Sequence, residues 1–269
     1  MNVGDIVVRK SYGKDVLFCI CGIKEGIAVL RGVWYRLIAD APLEDLEKAD
    51  ALPEEMRSDP RERRPLPPIG APRPASGPFF EVPGKILHLD GDLSYLKKSF
   101  AVYNELKIPA EGYHMREADM ADALRALLPR AQPDIIVVTG HDAILKHQFD
   151  GDRGNIRNYK NSAHFVQAVR AARAYERNRD ALTIVAGACQ SHFEALLQAG
   201  ANFASSPSRI LIHALDPVYV AAKAAFTRVT ETVNIFDVIS HTVSGMKGIG
   251  GIETKGHFRI GLPRVGIEI

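Results

Sequence analysis

Two apolar runs near the middle of the chain constrain its fold more than any other feature. Residues 134–142 and 182–191 are each rich in aliphatic residues before they reach a glycine and then a reactive side chain, His141 in the first run and Cys189 in the second. Continuous apolar runs of this length are typical of parallel strands buried on both faces. Parallel neighbours end at the same edge of a sheet, so we expect His141 and Cys189 to meet there.

Cys189 and His141 are the residue types of a thiol nucleophile and its base. A thiol attacks a carbonyl only as a thiolate, so the site must favour ionisation. A helix is predicted directly after Cys189, and its N-terminus should lower the pKa of the thiol while His141 accepts the proton. The backbone N–H of Cys189, with one from the turn at Gly140 and Asp142, is predicted to stabilise the oxyanion. The pattern favours a cysteine protease.

Two alternatives stay open at this point. His213 ends a further predicted strand and has Asp216 three residues on, an arrangement that can orient an imidazole. A glutamine amidotransferase-like thiol hydrolase would place Cys189 on a strand-to-helix elbow and use a downstream base such as His213. From another class, the chain could be a non-catalytic scaffold or adaptor with an inert α/β domain.

The chain divides into three parts by its pattern of residues. Residues 1–50 contain short alternating strands between glycines, which predict a small SH3-like β-barrel. Residues 51–84 lose all periodicity and are rich in proline and arginine, so we expect an exposed, extended linker. Residues 85–269 alternate strands with helices, which predicts a doubly wound α/β domain with a mostly parallel sheet.

Several elements of the α/β part can be predicted individually. We expect a first strand at 86–89, helices at 93–106 and 120–128, the second ended by Pro129, and a third helix at 165–175. A short helix after Cys189 should end near Gly200, and Pro217 should start another. A further strand is predicted at 209–213.

Composition limits the classes of partner. The 269 residues carry a net charge of only +2 and are 46% hydrophobic and 25% charged, which indicates a globular protein and argues against a nucleic-acid-binding function. The N-terminus lacks an apolar signal segment, and no run of about 18 apolar residues occurs, so we expect no membrane partner and a cytoplasmic location. Three cysteines make no disulfide framework. No metal or organic cofactor is expected.

At these residues the sequence resembles the YabG family, the sporulation-specific cysteine peptidases of spore-forming bacteria. The resemblance covers most of the chain and rests on residues 7–12, 36–40, 136–142, 186–194, 199–209, 213–219 and 248–254. It implies a protease of the mother cell that can associate with the spore. Its implied substrates are spore coat and cortex-related proteins and the enzyme itself, cut after basic residues, chiefly Arg.

Self-cleavage implies a site within the chain. The arginines of the predicted linker lie in the segment expected to be most exposed, and an exposed extended segment fits a protease cleft. We therefore predict a cut after one of Arg57, Arg61, Arg63 or Arg64.

The wider pattern is similar to the caspase and clostripain group. The His-to-Cys spacing is 189 − 141 = 48 residues, close to the roughly 50 residues of caspases. The Ala-Cys pair of that group is present at Cys189, whereas glycine precedes His141 instead of following it. In such folds the end of the first strand helps to line the arginine pocket, which makes Asp90 the first and Asp92 the second candidate for binding substrate arginine. Both could instead serve the turn or cap the following helix.

Overall fold

A computed structural model describes residues 1–63, 69, 79–145 and 150–262, without the side chains of Ala51 and Arg63. The N-terminal sheet is antiparallel, with the strand order β4-β3-β2-β1-β5. Its strands are β1 (Ile6–Arg9), β2 (Phe18–Lys24), β3 (Ile27–Gly32), β4 (Ile38–Pro42) and β5 (Leu46–Lys48). Alternate apolar side chains, including Val7, Phe18 and Leu30, form its own buried core, as the period of two predicts.

The segment expected to be an extended linker contains short helices where the structure describes it. These are α1 (Glu54–Arg57) and α2 (Pro60–Arg63), and a strand, β6 (Phe80–Val82), follows. Asp59 between the helices is buried. This stretch is therefore not extended: residues 53–57 are exposed, as expected, whereas Asp59 is buried, with its Oδ1 3.2 Å from His213 Nε2 of the α/β part.

A six-stranded sheet forms the centre of the larger part of the chain, with the order β13-β11-β10-β9-β7-β8. Within this sheet the strands β7 to β11 are parallel to one another, and β13 at the edge is antiparallel to β11. They are β7 (Ile86–Asp90), β8 (Ala110–His114), β9 (Ile135–Thr139), β10 (Thr183–Ala186), β11 (Phe203–Ser205) and β13 (Ile249–Gly251). Short antiparallel pairs join β12 (Thr232–Val233) to β14 (Thr254–Lys255) and β15 (Arg259–Gly261) to β6.

Helices cover both faces of this sheet, which confirms the predicted α/β class with a mostly parallel sheet. They are α3 (Leu93–Glu105), α4 (Met120–Ala131), α5 (Ser162–Tyr175), α6 (Phe193–Ala199), α7 (Asp216–Phe226), α8 (Ile235–Ser240) and α9 (Gly245–Gly248). Strand residues alternate between two cores: Leu87 and Ile136 face α4 and α5, whereas Val137 faces α3 and α7. Burial on both faces explains why β9 is apolar at consecutive positions.

Local signals fix several helix ends. Gly200 caps α6 in the left-handed conformation and Pro217 occupies the first turn of α7, as predicted. Pro129 does not end α4, which continues to Ala131. In the last turn a proline removes only one backbone hydrogen bond, and the burial of Leu128 holds that turn on the core. Residues 209–213 form no strand of the sheet; His213 makes only an isolated bridge to Tyr35.

Candidate active site

The ends of β7, β9 and β10 lie side by side at one edge of the sheet. Asp90 pairs with Thr139 in the register of β7 and β9, and Val138 pairs with Ala186 in that of β9 and β10. His141 follows β9 by two residues and Cys189 follows β10 by three. The sheet edge therefore receives both residues, as the parallel topology requires.

A sharp turn carries Cys189 into the interior. Gln190 has a left-handed backbone with φ of 56°, uncommon for a residue with a side chain, and its N–H donates to Ile210 O at 3.1 Å. The Cys189 thiol is fully buried and accepts the N–H of Ile212 at 3.2 Å. Burial raises its pKa to about 12, against the opposing effect of the N–H groups of Ile212 and Arg36.

The expected lowering of the pKa of Cys189 is thus wrong for this conformation. Helix α6 begins only at Phe193, with His192 as its cap, so the thiol does not lie in the first turn. Burial away from water favours the neutral thiol and outweighs the helix. Burial therefore favours the protonated thiol of Cys189 in this conformation.

Asp92 holds the imidazole of His141. Its Oδ2 lies 2.9 Å from His141 Nε2, while its Oδ1 accepts the Ser94 N–H at 2.8 Å and caps α3. Burial alone would raise the pKa of Asp92, but the bond to His141, the ion pair with Arg31 and the cap hold it below its usual value. Asp92 was predicted as a second substrate-binding acid; here the chain itself engages both oxygens.

Asp90 is completely buried and paired with an arginine of the N-terminal part. Arg36 Nη1 lies 2.8 Å and 3.0 Å from its two oxygens, and neither side chain is exposed. The Thr139 hydroxyl and the Asp92 N–H donate to the same carboxylate. Burial opposes ionisation, yet the charge of Arg36, the neighbouring ring of His88 and the Asp92 N–H hold the pKa of Asp90 well below its usual range. The first candidate for substrate arginine thus already binds an arginine.

The peptide of Arg36 lies against both candidate catalytic groups. Its carbonyl oxygen is 3.4 Å from His141 Nδ1, and its N–H is among the groups that lower the pKa of the Cys189 thiol against the effect of burial. The Arg36 Nε donates to Ala214 O at 3.0 Å. The backbone of Arg36 therefore interacts with both candidate catalytic residues.

The loop after β9 is held by acidic side chains. The His141 N–H donates to Glu117 Oε1 at 2.9 Å, and a Cβ on Gly140 would lie 2.4 Å from the same oxygen. The Asp142 carboxylate accepts the hydroxyls of Ser162 and Ser191, which ties the His141 loop to the Cys189 loop. Burial raises the pKa of Asp142 despite these bonds. Which amide beside Cys189 stabilises an oxyanion stays a prediction.

The alternative base has other partners. His213 Nδ1 accepts the Leu215 N–H at 3.3 Å, and its Nε2 lies 3.2 Å from Asp59 Oδ1. Asp216 accepts the N–H groups of Val243 and Ser244 and does not hydrogen-bond the His213 ring. The carboxylate beside His213 is thus Asp59, which the sequence did not suggest.

The arginines predicted as cleavage sites differ in accessibility. Arg57 is exposed at the end of α1. Arg61 is half-buried, pairs with Asp59 and donates to the Tyr219 hydroxyl. The side chain of Arg63 and all of Arg64 lie outside the described residues. Among the described arginines of this group, Arg57 is the more accessible.

Sequence reasoning missed Arg36, Glu117 and Tyr95. Arg36 comes from a different part of the chain, and a single arginine after a short strand carries no pattern that marks it as part of a distant site. Glu117 lies between glycines 91 and 140, and a Cβ on either would meet its carboxylate. Paired glycines at two adjacent strand ends are the one signal that could have suggested an inserted side chain.

No group of three or more metal-ligating side chains occurs in the part of the chain that the structure describes. Within that same part, no helix has the length and apolar character needed to cross a membrane.

Comparison with known proteins identifies the class of protein. A family model described as "YabG peptidase U57" matches residues 2–65 and 71–263. The chain therefore belongs to this peptidase family. It is also 44% identical, over 97% of its length, to the Sporulation-specific protease YabG of Bacillus subtilis (strain 168), of which it covers 98%. No solved structure matches the chain.

Proposed function

We propose that the protein is a sporulation-specific cysteine endopeptidase that cuts after arginine, with Cys189 as its nucleophile and His141 as its general acid and base. The observation that carries this proposal is the His141–Asp92 bond of 2.9 Å beside the strand end that bears Cys189. A carboxylate on one imidazole nitrogen orients the ring and leaves the other nitrogen to exchange a proton with a nucleophile; in the present conformation that nitrogen lies 3.4 Å from Arg36 O. The family membership and the relative from a sporulating bacterium support the biological role.

The reaction needs only groups of this chain and water. His141 takes the thiol proton, and the thiolate attacks the carbonyl carbon of the scissile bond. The C–N bond then breaks while His141 returns the proton to the departing amine. Water hydrolyses the thioester, which releases the carboxylic acid and restores the thiol. Backbone N–H groups near Cys189 stabilise the transient oxyanion.

Arginine preference follows from Asp90. A buried carboxylate at the end of β7 is matched to a guanidinium, whose fork of donors suits two oxygens. The caspase-like arrangement of this sheet and the SH3-like character of the N-terminal sheet belong to the same proposal. We also propose that spore coat and cortex-related proteins, and the enzyme itself, are substrates in the mother cell.

The test compares purified wild type with Cys189→Ala, His141→Ala and His213→Ala, and with Cys19→Ala as a matched control. Peptides with Arg or Gln before the scissile bond, and intact mass of the protein, report cleavage. We expect Cys189→Ala and His141→Ala to lose more than about 10³-fold in rate, while Cys19→Ala and His213→Ala retain activity. Asp90→Asn should abolish the preference for Arg over Gln.

Other outcomes of this test would favour the two alternative functions, the amidotransferase-like hydrolase and the scaffold or adaptor. Loss of activity in His213→Ala but not in His141→Ala would favour the amidotransferase-like hydrolase. Full activity of Cys189→Ala, with a contaminant control, would remove Cys189 as nucleophile. If folded wild type cuts no arginyl peptide even when Cys189 reacts readily with iodoacetamide, the scaffold or adaptor function is favoured.

A further inference from the structure

One loop of the N-terminal sheet enters the active site. It joins β3 to β4 and comprises residues 33–37; we refer to it as the β3–β4 loop. Its carbonyl groups are held by α3: the Tyr95 hydroxyl lies 2.6 Å from Tyr35 O, and Lys98 Nζ donates to Val33 O at 2.9 Å. These contacts hold the loop in place, and its residue Arg36 lies beside His141.

The main chain of this loop is bound as a peptide would be. Tyr35 forms an antiparallel bridge with His213, and the Ala214 N–H donates to Trp34 O at 2.7 Å. Addition of a strand through backbone hydrogen bonds is a general way to bind an extended peptide irrespective of its sequence. The segment at 212–214 thus offers a peptide-binding edge, and the β3–β4 loop occupies it.

The side chain of Arg36 fills the pocket that such a peptide would need. Its guanidinium pairs with Asp90, its Nε donates to Ala214 O, and its Cζ lies 5.1 Å from the centre of the Tyr95 ring. The Arg36 Nη2 is buried without a hydrogen-bond partner among the described residues. An arginine that served only to join two parts of the protein would not also need its carbonyl oxygen 3.4 Å from the ring of His141.

The turn at Arg36 differs from an extended peptide ready for cleavage. The Leu37 N–H donates to Tyr35 O at 2.7 Å, which closes a three-residue turn around Arg36. The nitrogen of the bond after Arg36 is thus retained by the loop itself, and the Arg36 carbonyl faces His141. This geometry is that of an inhibitor that occupies the site without being cut.

We infer that the β3–β4 loop is a pseudosubstrate: Arg36 takes the place of a substrate arginine and closes the active site until the loop is displaced. The inference rests on the proposed function and extends it from specificity to regulation. It assigns to the N-terminal sheet the role of an intramolecular inhibitor. The full burial of Cys189 and the raised pKa of its thiol agree with a closed state.

The test measures access to Cys189 in the full-length chain. Wild type, Arg36→Gln and a control, Arg9→Gln, are treated with iodoacetamide, and modification of each cysteine is followed by peptide mass. Arg9 is an arginine of the same sheet whose partner, Asp45, lies away from the site. We expect Cys189 to react roughly tenfold faster or more in Arg36→Gln, since only the open population reacts. Arg9→Gln should match wild type, with Cys19 as an internal reference.

Binding of a small guanidine compound to the pocket at Asp90 provides a second measurement. In Arg36→Gln the vacated pocket should bind butylguanidine, which should slow the reaction of Cys189 saturably and raise the melting temperature. Wild type, whose pocket is filled, should show neither effect. If Arg36→Gln does not fold, Arg36→Lys replaces it, because lysine keeps a cation beside Asp90 but lacks the planar fork.

Two results would overturn the inference. The first is that Cys189 reacts with iodoacetamide at the wild-type rate in Arg36 variants that are folded. The second is cleavage of wild type after Arg36, which would make the loop a substrate. Iodoacetamide access does not require peptidase activity. An accessible Cys189 in Arg36→Gln without hydrolysis of arginyl peptides would therefore refute the proposed function and leave the closure by the loop intact.

Discussion

The buried ion pair between Arg36 and Asp90 predicts a large coupling energy. Both side chains are fully inaccessible, so removing one partner leaves an uncompensated charge in the interior. Such a loss typically costs about 3–5 kcal/mol. We expect Arg36→Gln and Asp90→Asn each to destabilise the protein by this amount. The double variant should cost no more than either single one, so the coupling energy, the sum of the two single costs minus the double cost, should be about 3–5 kcal/mol.

The assay is urea unfolding followed by circular dichroism, with Cys189→Ala present in every variant so that self-cleavage does not interfere. Arg9→Gln is again the control. Its ion pair with Asp45 is partly exposed, so its removal should cost less than about 1 kcal/mol. A coupling energy between Arg36 and Asp90 below about 0.5 kcal/mol would refute the view that this pair is desolvated and tightly bound.

The pH dependence of the same variants has a defined sign. In wild type the pKa of Asp90 is lowered, so its contribution to stability is present above the unfolded pKa, about 3.9, and is lost at lower pH. Without Arg36, burial should raise the pKa of Asp90, and ionisation of the unfolded state then favours unfolding as pH increases above about 4. The cost of Arg36→Gln should therefore be larger at pH 7 than at pH 4. An equal cost at both would contradict the ion-pair assignment.

Three further variants test other contacts. Gly140→Ala should destabilise the site by about 1–3 kcal/mol, because the new Cβ meets Glu117, and thermal unfolding would show it. Tyr95→Phe should accelerate iodoacetamide modification of Cys189, since it frees the carbonyls of Gly32, at the end of β3, and of Tyr35, in the β3–β4 loop; an unchanged rate would argue against that restraint. Leu124→Ala should cost about 2–5 kcal/mol by urea unfolding, whereas Arg125→Ala, next to it on the exposed face of α4, should cost less than about 0.5 kcal/mol.

The sequence predicted those features that depend on local pattern. The apolar runs that became β9 and β10 could be recognised because strands buried on both faces need apolar residues at every position. Their order along the chain then brought His141 and Cys189 to one edge. Asp92 was also recognised as a residue of this edge. One of its oxygens caps α3 and the other binds His141, and only the three-dimensional structure shows which oxygen makes which contact.

The features that were missed depend on contacts between distant segments. The buried thiol of Cys189 accepts the N–H of Ile212, 23 residues further along the chain, and no property of residues 182–191 reports on that contact. The buried position of Asp59 likewise depends on His213 and Arg61, so a stretch rich in proline and arginine was taken for exposed chain. The strand β8 was overlooked because it is only partly buried and has no apolar run, and β11 because it has only three residues.

The hydrogen bond from Arg36 to Ala214 spans 178 residues of sequence. A ribosome releases the N-terminal sheet first, and domains fold in general as their chain emerges. The peptide-binding edge around Ala214 is completed only when nearly four-fifths of the polypeptide has been made. By then the β3–β4 loop is available at high effective concentration because it is tethered to the same molecule. We therefore expect the β3–β4 loop to occupy the active site as soon as a newly synthesised chain has folded. Any protein substrate must then compete with this loop for the same edge.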